Sequence, residues 1–272
     1  MKMISKLVMY LVALVLLLIT GVPFFMMVMT SFKFSLDFMT TPWSWPENVT
    51  LENYILVIQS DFFVYFFNSV IVSVTAVFLV VIFAAMASYP LARIKFRLSK
   101  PIYILFLVGM MIPIHTTLIP IFQLSHALGI FDTRIGLIGP NLAFALPISI
   151  VIYTQFLKAI PKELEESAKI DGCGHLRLFW NILFPILTPA TATVVIYNFI
   201  HIWNEFIFAL VLTNSPQNRT LPVGMRDFFG EFTVNVPAIM ATLTMASVPL
   251  LLVYFIAQEK VINGLTAGAV KG

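Results

Sequence analysis

Charged side chains are scarce in this sequence. Only 11% of the 272 residues are Asp, Glu, Lys or Arg, whereas 60% are hydrophobic. Because a soluble globular chain carries about 25% charged residues, this composition would leave large apolar areas exposed in water. The scarcity of charge excludes an ordinary water-soluble domain and predicts an integral membrane protein with the lipid bilayer as its solvent.

Cysteine and the common catalytic motifs are also missing. Cys173 is the only cysteine, so the chain cannot form an internal disulfide or a cysteine-based metal site. No G-x-x-x-x-G-K-[ST] phosphate loop, H-E-x-x-H or G-x-S-x-G sequence occurs, and the formal net charge is only +3. We therefore expect no metal, no cofactor, no nucleic-acid partner and no bond chemistry on this chain.

Long apolar stretches make up most of the sequence. About 20 apolar residues cross the hydrocarbon core of a bilayer, and backbone groups in lipid must pair within a helix. We predict an all-α membrane protein whose single transmembrane domain covers residues 1–272. Its six spans are placed at about residues 7–30, 63–90, 101–123, 135–157, 186–211 and 237–257. The first is expected to be an uncleaved span, because its apolar core is too long for a signal peptide.

Basic residues predict the orientation of the spans. Lys and Arg in short loops favour the cytoplasmic side. With the N-terminus inside, twelve of the 16 basic residues fall on the cytoplasmic side, and the other four are Lys33, Arg134, Arg219 and Arg226. Both termini are therefore predicted to be cytoplasmic.

The longest predicted cytoplasmic connection covers residues 158–185 and is called the coupling loop below. Its first short helix begins after Pro161, carries acidic residues in its first turns and ends at Gly172, which is predicted to be left-handed. Ser167 and Ala168 at the centre of this helix are small, so another protein's surface could approach the backbone closely. A second, amphipathic helix follows, with an apolar stripe suited to the membrane surface: Leu176, Phe179, Trp180 and Leu183.

By composition alone, this loop could be an ordinary connector, but its residue order resembles the EAA loop of ABC importer permeases. That pattern is E-A-A, three residues, G, nine residues and I-x-L-P. Here Glu166-Ser167-Ala168 is followed three residues later by Gly172, and nine residues further by Ile182-Leu183-Phe184-Pro185. Ser167 replaces an Ala and Phe184 replaces the Leu. The resemblance implies that Glu166, Ser167, Ala168 and Gly172 couple the chain to an ATPase.

The resemblance extends over nearly the whole chain. The final segment 264–272, Ser31-Phe32-Lys33 and Trp203-Asn204-Glu205-Phe206 are similar to the sugar-importer permeases of the MalG type. This family implies a sugar or oligosaccharide as cargo and a location in the bacterial plasma membrane. It also implies a second homologous permease, two ATPase subunits that bind ATP and Mg²⁺, and an extracytoplasmic sugar-binding protein.

A polar strip in the fifth predicted span is a candidate for the substrate path. Glu205 is the one carboxylate placed within a span, and an ionisable group there is costly and often functional. Asn198, His201 and Glu205 share one helical face, and Asn204 adds a further amide. The alternatives are a polar contact between helices, or a position near the outer interface.

Two other function classes compete with an importer permease. An ion-coupled secondary transporter would place coupling carboxylates or internal repeats near the bilayer midplane, but this chain has one candidate carboxylate and no repeat. An intramembrane enzyme would need a catalytic motif or paired carboxylates within the spans. Neither class accounts for the Glu166–Pro185 pattern.

Overall fold

The chain is helical, as its composition predicts. A computed structural model describes residues 2–170, 172–228 and 235–269, with side chains for 6–170, 172–226 and 235–258, and these ranges contain no β-strand. The helices are α1 Lys2–Ser31, α2 Ser35–Thr40, α3 Glu52–Gln59, α4 Phe62–Arg93, α5 Ser99–Gly109, α6 Ile114–Ala127, α7 Arg134–Ala159, α8 Glu163–Ile170, α9 His175–Leu178, α10 Phe184–Ile186, α11 Thr188–Trp203, α12 Ile207–Leu212, α13 Leu221–Gly224 and α14 Val236–Ala269. The all-α prediction is confirmed.

Four helices in the described part of the chain are long and apolar enough to cross a membrane. They include segments of α1, α4, α7 and α14, namely Lys6–Ser31, Phe62–Arg93, Arg134–Ala159 and Val236–Gln258. Two further pairs pass the same test only together. Ser99–Gly109 and Ile114–Ala127 are bent by 98°, and His175–Ile186 and Thr188–Trp203 by 73°. By length and composition the chain therefore has four spans, or up to six if each bent pair is one span.

Prolines explain where the bent pairs break. Pro113 precedes α6 with an extended backbone (φ −66°, ψ 133°), and a proline disfavours helical geometry in the residue before it. Pro189 occupies the first turn of α11, where its missing N–H costs no hydrogen bond. Proline inside a helix does not always bend it this sharply, since Pro140 and Pro147 both lie within α7.

The helix that the sequence places at about 186–211 is interrupted a second time. Helix α11 ends at Trp203 and α12 begins at Ile207. The residues between them include Asn204 and Glu205, two members of the polar strip predicted from the sequence. The interruption therefore lies at the candidate substrate path and not at the end of the apolar stretch.

The chain divides into two compact units. The first combines the chain up to Phe66 with Leu221–Val248, and the second combines Phe67–Thr220 with the chain from Pro249 onward. In the first unit, every side chain of α1 from residue 6 to residue 20 is exposed. Because lipid is as apolar as these side chains, a bilayer satisfies this surface without a protein partner.

A buried lysine organises the segment after α1 in the first unit. Lys33 is fully buried, and its Nζ donates to the carbonyl oxygens of Thr41 at 2.8 Å and Pro42 at 3.1 Å. Asn53 Nδ2 donates to the carbonyl oxygens of Ser31 and Lys33 at 2.9 and 2.8 Å. These contacts pair polar backbone groups that burial would otherwise leave unsatisfied.

Side-chain hydrogen bonds join α4, α7 and α11 in the second unit. Ser88 Oγ on α4 donates to the carbonyl oxygen of Ile150 on α7 at 3.1 Å. Tyr153 on α7 donates to Thr191 Oγ1 on α11 at 3.0 Å. Small side chains such as Ala84 and Ala190, both fully buried, allow these helices to approach closely.

Residues 212–220, called the Asp132 loop below, are also fixed within the second unit. Asp132 has a φ of 55°, its N–H donates to the Leu212 carbonyl at 2.9 Å, and its Oδ1 accepts from the N–H groups of Asn214 and Ser215 at 2.9 and 3.0 Å. The Ser215 hydroxyl donates to the other carboxylate oxygen. Asn68 Nδ2 on α4 donates to the carbonyls of Gln217 and Arg219, both at 2.8 Å. The loop therefore has a defined main-chain path.

Candidate functional site

The first helix of the coupling loop, α8, has one buried face. Glu165 and Ala168 are only 6% exposed each, whereas Ile170 is 86% and Leu164 45% exposed. Glu166 and Ser167 are exposed as well. The helix therefore packs on its own chain through positions 165 and 168 and presents the rest of its surface outward.

This arrangement corrects the orientation expected for Ala168. The sequence suggested that Ala168 lies on a surface open to another protein, and that prediction is wrong, because its side chain is covered by the chain itself. The spacing of small residues identifies a close contact but not its partner. Here the contact is internal, and the small side chain on the outward surface is Ser167.

Gly172 ends α8 in the way that the sequence predicts. Its φ is +78°, which confirms the left-handed conformation. The Cys173 N–H donates to the carbonyl of Ala168 at 3.0 Å and the Gly172 N–H to that of Lys169 at 3.0 Å. This pair of bonds is the Schellman motif, which satisfies carbonyls at the end of a helix. An added Cβ at Gly172 would have open space, so the demand for glycine here comes from the backbone conformation alone.

An ion pair fixes the buried face of α8 to the end of α4. Arg93 Nε lies 2.5 Å from Glu165 Oε1, and the two side chains are 4% and 8% exposed. The same guanidinium donates through Nη2 to the carbonyl of Ile160 at 2.7 Å. Ile160 caps the end of α7. One arginine thus joins the ends of α4 and α7 to α8.

The second segment of the coupling loop is attached one turn earlier on α4. Tyr89 Oη and His175 Nδ1 are 2.9 Å apart, and the rings of Tyr89 and Phe179 lie 5.6 Å apart. Tyr89 and Arg93 are four residues apart on α4 and therefore share one face. The two halves of the loop meet the same helix surface.

The second segment does not present the apolar stripe that regular helical spacing predicts. Leu178, Phe179 and Leu183 are buried, but Leu176 is 74% exposed. Residues Phe179–Leu183 form a π-helical turn, in which the Phe184 N–H donates to the Phe179 carbonyl. The four residues of the predicted stripe therefore lie in two environments, since Phe179 and Leu183 are buried in the chain and Leu176 and Trp180 are exposed.

The candidate path residues lie at a cavity of about 230 Å³ in the second unit. Aromatic and polar side chains share its wall: Asn141, Phe144, Tyr197, Asn198, His201 and Glu205. The structure therefore brings together three of the four residues expected there. Asn204 is exposed and donates to the Ile200 carbonyl at 2.8 Å instead of lining the cavity.

Asn198 and His201 differ in how their polar groups are engaged. Asn198 is 1% exposed, and its Nδ2 donates to Ser149 Oγ on α7 at 2.9 Å and to the Val194 carbonyl at 2.7 Å. It therefore serves as a polar contact between helices, which is one of the alternatives considered for this strip. His201 is exposed, and its ring centroid lies 4.3 Å from that of Tyr197.

Glu205 also has a structural role. Its Oε1 accepts from the Phe208 N–H at 2.6 Å and its Oε2 from the Ala209 N–H at 3.2 Å. These are unpaired donors of the first turn of α12, which a carboxylate caps. The carboxylate at the cavity is thus held in place by the interruption between α11 and α12.

Sequence reasoning missed several residues of both sites. Arg93 was counted only among the cytoplasmic basic residues, Tyr89 only as part of a span, and Glu165 only as an acidic residue in the first turn of a helix. A possible signal was the four-residue spacing of Tyr89 and Arg93 at the end of an apolar span. At the cavity, Asn141 and Tyr197 were missed because they lie among apolar residues.

Comparison with known proteins agrees with the loop pattern. The family model described as "Binding-protein-dependent transport system inner membrane component" matches residues 81–266. The "Putative ABC transporter permease protein ORF2" of Caldicellulosiruptor sp. (strain Rt8B.4) is 48% identical over 256 residues, covering 94% of this chain and 93% of that protein. The "Probable starch degradation products transport system permease protein AmyC" of Thermoanaerobacterium thermosulfurigenes is 36% identical, covering 92% and 91%.

A solved structure shares the fold. It is a chain from the crystal structure of a bacterial ABC transporter involved in the import of the acidic polysaccharide alginate. The TM-score is 0.83 at 21% identity, covering 95% of this chain and 96% of that one. The alternative of an ion-coupled secondary transporter finds no support in these similarities.

Proposed function

Because the chain belongs to the family of binding-protein-dependent transport system inner membrane components, we propose that it is the permease through which an ATP-driven importer moves a sugar or oligosaccharide into the cytoplasm. The observation that carries this proposal is the family match over residues 81–266, which contains both the coupling loop and the polar cavity. The family and the apolar helices make the chain a multi-pass membrane protein.

Two features support a carbohydrate as cargo. A similar protein, 36% identical, is named for the transport of starch degradation products. The cavity combines the rings of Phe144 and Tyr197 with the polar groups of His201 and Glu205. Apolar and aromatic walls with a few placed polar groups are typical of small-molecule sites.

The proposed path uses the residues of the polar strip unequally. His201 offers the exposed imidazole, Glu205 offers a carboxylate already oriented by α12, and Asn198 fixes the wall of the cavity to α7. Asn204 belongs to the proposed path as an exposed amide beside the cavity.

The proposed assembly needs chains that supply what this one lacks. Hydrolysis of ATP with Mg²⁺ is assigned to two ATPase subunits, since this sequence has no phosphate loop. A second homologous permease lies beside this chain, and an extracytoplasmic binding protein delivers the sugar. In this assembly the chain itself makes and breaks no covalent bonds.

The proposed topology counts each bent pair as one span. That gives six spans in one permease domain, with both termini and the coupling loop in the cytoplasm, as the distribution of basic residues favours. The membrane is the bacterial plasma membrane. The coupling loop then faces the side on which ATP is available.

The coupling loop transmits the effect of ATP binding in this proposal. Glu166 and Ser167 lie on the exposed surface of α8 and contact the ATPase. Ala168 packs α8 against its own chain, and Gly172 ends the helix. The ATPase shifts the permease between inward-open and outward-open states only if it binds the two states differently. The exposed side of α8 is where that difference would arise.

Reconstituted transport tests the proposal. The full chain is purified with its ATPase, second permease and binding protein, and placed in proteoliposomes. Labelled maltotriose and an alginate trisaccharide serve as probes, with glutamine as the control substrate. We expect ATP-dependent uptake of at least one oligosaccharide and none of glutamine. Uptake by this chain alone, driven by a Na⁺ or H⁺ gradient without ATP, would establish the ion-coupled alternative.

A further inference from the structure

The adjacent residues Glu165 and Glu166 point in different directions. Glu166 is exposed, whereas Glu165 is 6% exposed and paired with Arg93 at the end of α4. The family pattern described above begins at Glu166 and gives no role to Glu165 or Arg93. Their pairing is therefore a feature of the structure that the proposed coupling residues do not explain.

A buried ion pair is a costly way to attach a loop. Removing two charges from water is unfavourable, and packed apolar side chains could often hold the same contact as well. What the pair offers is a strong attraction between opposite charges on α4 and α8, because water is largely excluded from both side chains. The directional hydrogen bond of Arg93 is the one from Nη2 to the Ile160 carbonyl at 2.7 Å.

Both attachments of the coupling loop are on a single helix face. Arg93 holds the segment before Gly172, and Tyr89, one turn earlier, meets His175 after it at 2.9 Å. Helix α4 is 32 residues long and continuous from Phe62 to Arg93. A displacement of the loop that keeps these contacts must carry the end of this helix with it.

We propose that Arg93 and Glu165 are positioning residues that transmit movement of the coupling loop to α4 during transport. The proposal rests on the proposed function, because it requires an ATPase to move α8. The ATPase moves α8 through its exposed side. The buried ion pair transfers that movement to α4, which extends through the second unit. Loss of the pair separates binding of the ATPase from its effect on the permease.

The experiment uses the complete transporter in proteoliposomes. Arg93→Gln and Glu165→Gln each remove one charge, and the double variant Arg93→Glu/Glu165→Arg restores a pair with reversed polarity. Arg97→Gln is the matched control, because Arg97 is exposed beyond the end of α4. Three quantities are measured: the amount of ATPase that co-purifies, its basal hydrolysis, and its stimulation by binding protein loaded with maltotriose.

We expect each single variant to retain ATPase association within about twofold of wild type and to lose stimulation by about tenfold or more. Those factors correspond to roughly 0.4 and 1.4 kcal/mol. The double variant is expected to recover at least a third of the stimulation. Arg97→Gln should behave as wild type. Retained association separates this result from loss of an adhesive contact.

Normal stimulation in Glu165→Gln with the ATPase bound would overturn the proposal. So would loss of association in proportion to the loss of stimulation, since that is what a merely structural pair predicts. If the charge-removing variants fail to insert, Arg93→Lys keeps the charge but not the forked donors and should reduce stimulation while retaining association. Failure of the wild-type complex to couple any sugar to hydrolysis would refute the proposed function instead.

Discussion

The coupling loop and the Asp132 loop are held to the second unit in different ways. The Asp132 loop is tied mainly through its own main chain, whose N–H and C=O groups bond to Asp132 and Asn68. The coupling loop is tied largely by side chains, through Arg93 with Glu165 and Tyr89 with His175. Most of the main-chain N–H and C=O groups of α8 are hydrogen-bonded within the helix.

This difference separates a fixed connection from one that can move as a body. Main-chain bonds along a loop define its path residue by residue. Two side-chain attachments on one helix define where short helices lie, and the path of the main chain within each helix is set by its own hydrogen bonds. The coupling loop is therefore suited to follow α4, whereas the Asp132 loop keeps its shape at the junction between α12 and α13.

The largest effect is expected from Ala168→Trp, which tests how the coupling loop is held to its own chain. Ala168 is 6% exposed, so a tryptophan must overpack the contact between α8 and its own chain, at a cost of about 1–3 kcal/mol. We expect that cost to lower the unfolding temperature of the purified chain and, because α8 is displaced, ATPase association to weaken as well.

Ser167→Trp is the matched control for the orientation of α8. Ser167 is exposed, so the same side chain should leave the unfolding temperature unchanged and weaken only ATPase association. Thermal unfolding and co-purification measure the two effects. If Ser167→Trp destabilises the isolated chain and Ala168→Trp does not, the buried face of α8 is assigned incorrectly.

A smaller effect is expected from Gly172→Val. A left-handed conformation costs a non-glycine residue about 1–2 kcal/mol, and a branched side chain resists it further. We expect the Schellman end of α8 to loosen and sugar-stimulated hydrolysis to fall by roughly five- to thirty-fold, with the protein still inserted.

Gly174 provides a control two residues away. Its φ is −71° and its ψ is 164°, which valine adopts readily, and an added Cβ has open space. Gly174→Val should therefore hydrolyse ATP nearly as well as wild type. Equal losses in both variants, measured in the same reconstituted complex, would mean that the positive φ of Gly172 is not the cause.

The smallest effect concerns acid and the Asp132 loop. Burial raises the pKa of Asp132, but the hydrogen bonds from Ser215 and Asn214 outweigh it and hold the pKa below the ordinary value of 3.8. The stabilisation is therefore fully present above about pH 4 and is lost as the pH falls through the lowered pKa. Near pH 7, a change in pH is therefore expected to leave this stabilisation of the loop unchanged.

Hydrogen exchange of residues 213–220 measures this stabilisation when wild type and Asp132→Asn are compared at each pH. The difference in protection should be constant from pH 7 to about pH 4 and shrink below that. A difference that already shrinks between pH 6 and 5 would contradict the lowered pKa.

Apolar composition alone predicted most of the fold. Helices α1, α4, α7 and α14 lie close to the positions expected of four of the spans. The interrupted helices were harder to foresee. Hydropathy does not reveal the bend of 98° between α5 and α6. It also does not reveal the break before α12, where the Glu205 carboxylate caps the helix.

The candidate sites show the same division between local and distant causes. Gly172 was predicted correctly because helix ends follow local rules. The buried face of α8 was not, because it depends on Arg93, a residue far away in sequence. From the sequence alone, a charged residue that is buried beside an opposite charge cannot be distinguished from an exposed one.

Cys173, which lies in the Schellman turn, offers a site for attaching a probe. It is the only cysteine in the sequence and is half-buried between α8 and α9. Its backbone N–H, and not its thiol, makes the bond that closes the turn. A spin label or fluorophore attached to that thiol would therefore report from the middle of the coupling loop, and wild-type protein could be followed through the transport cycle without first removing other cysteines from this chain.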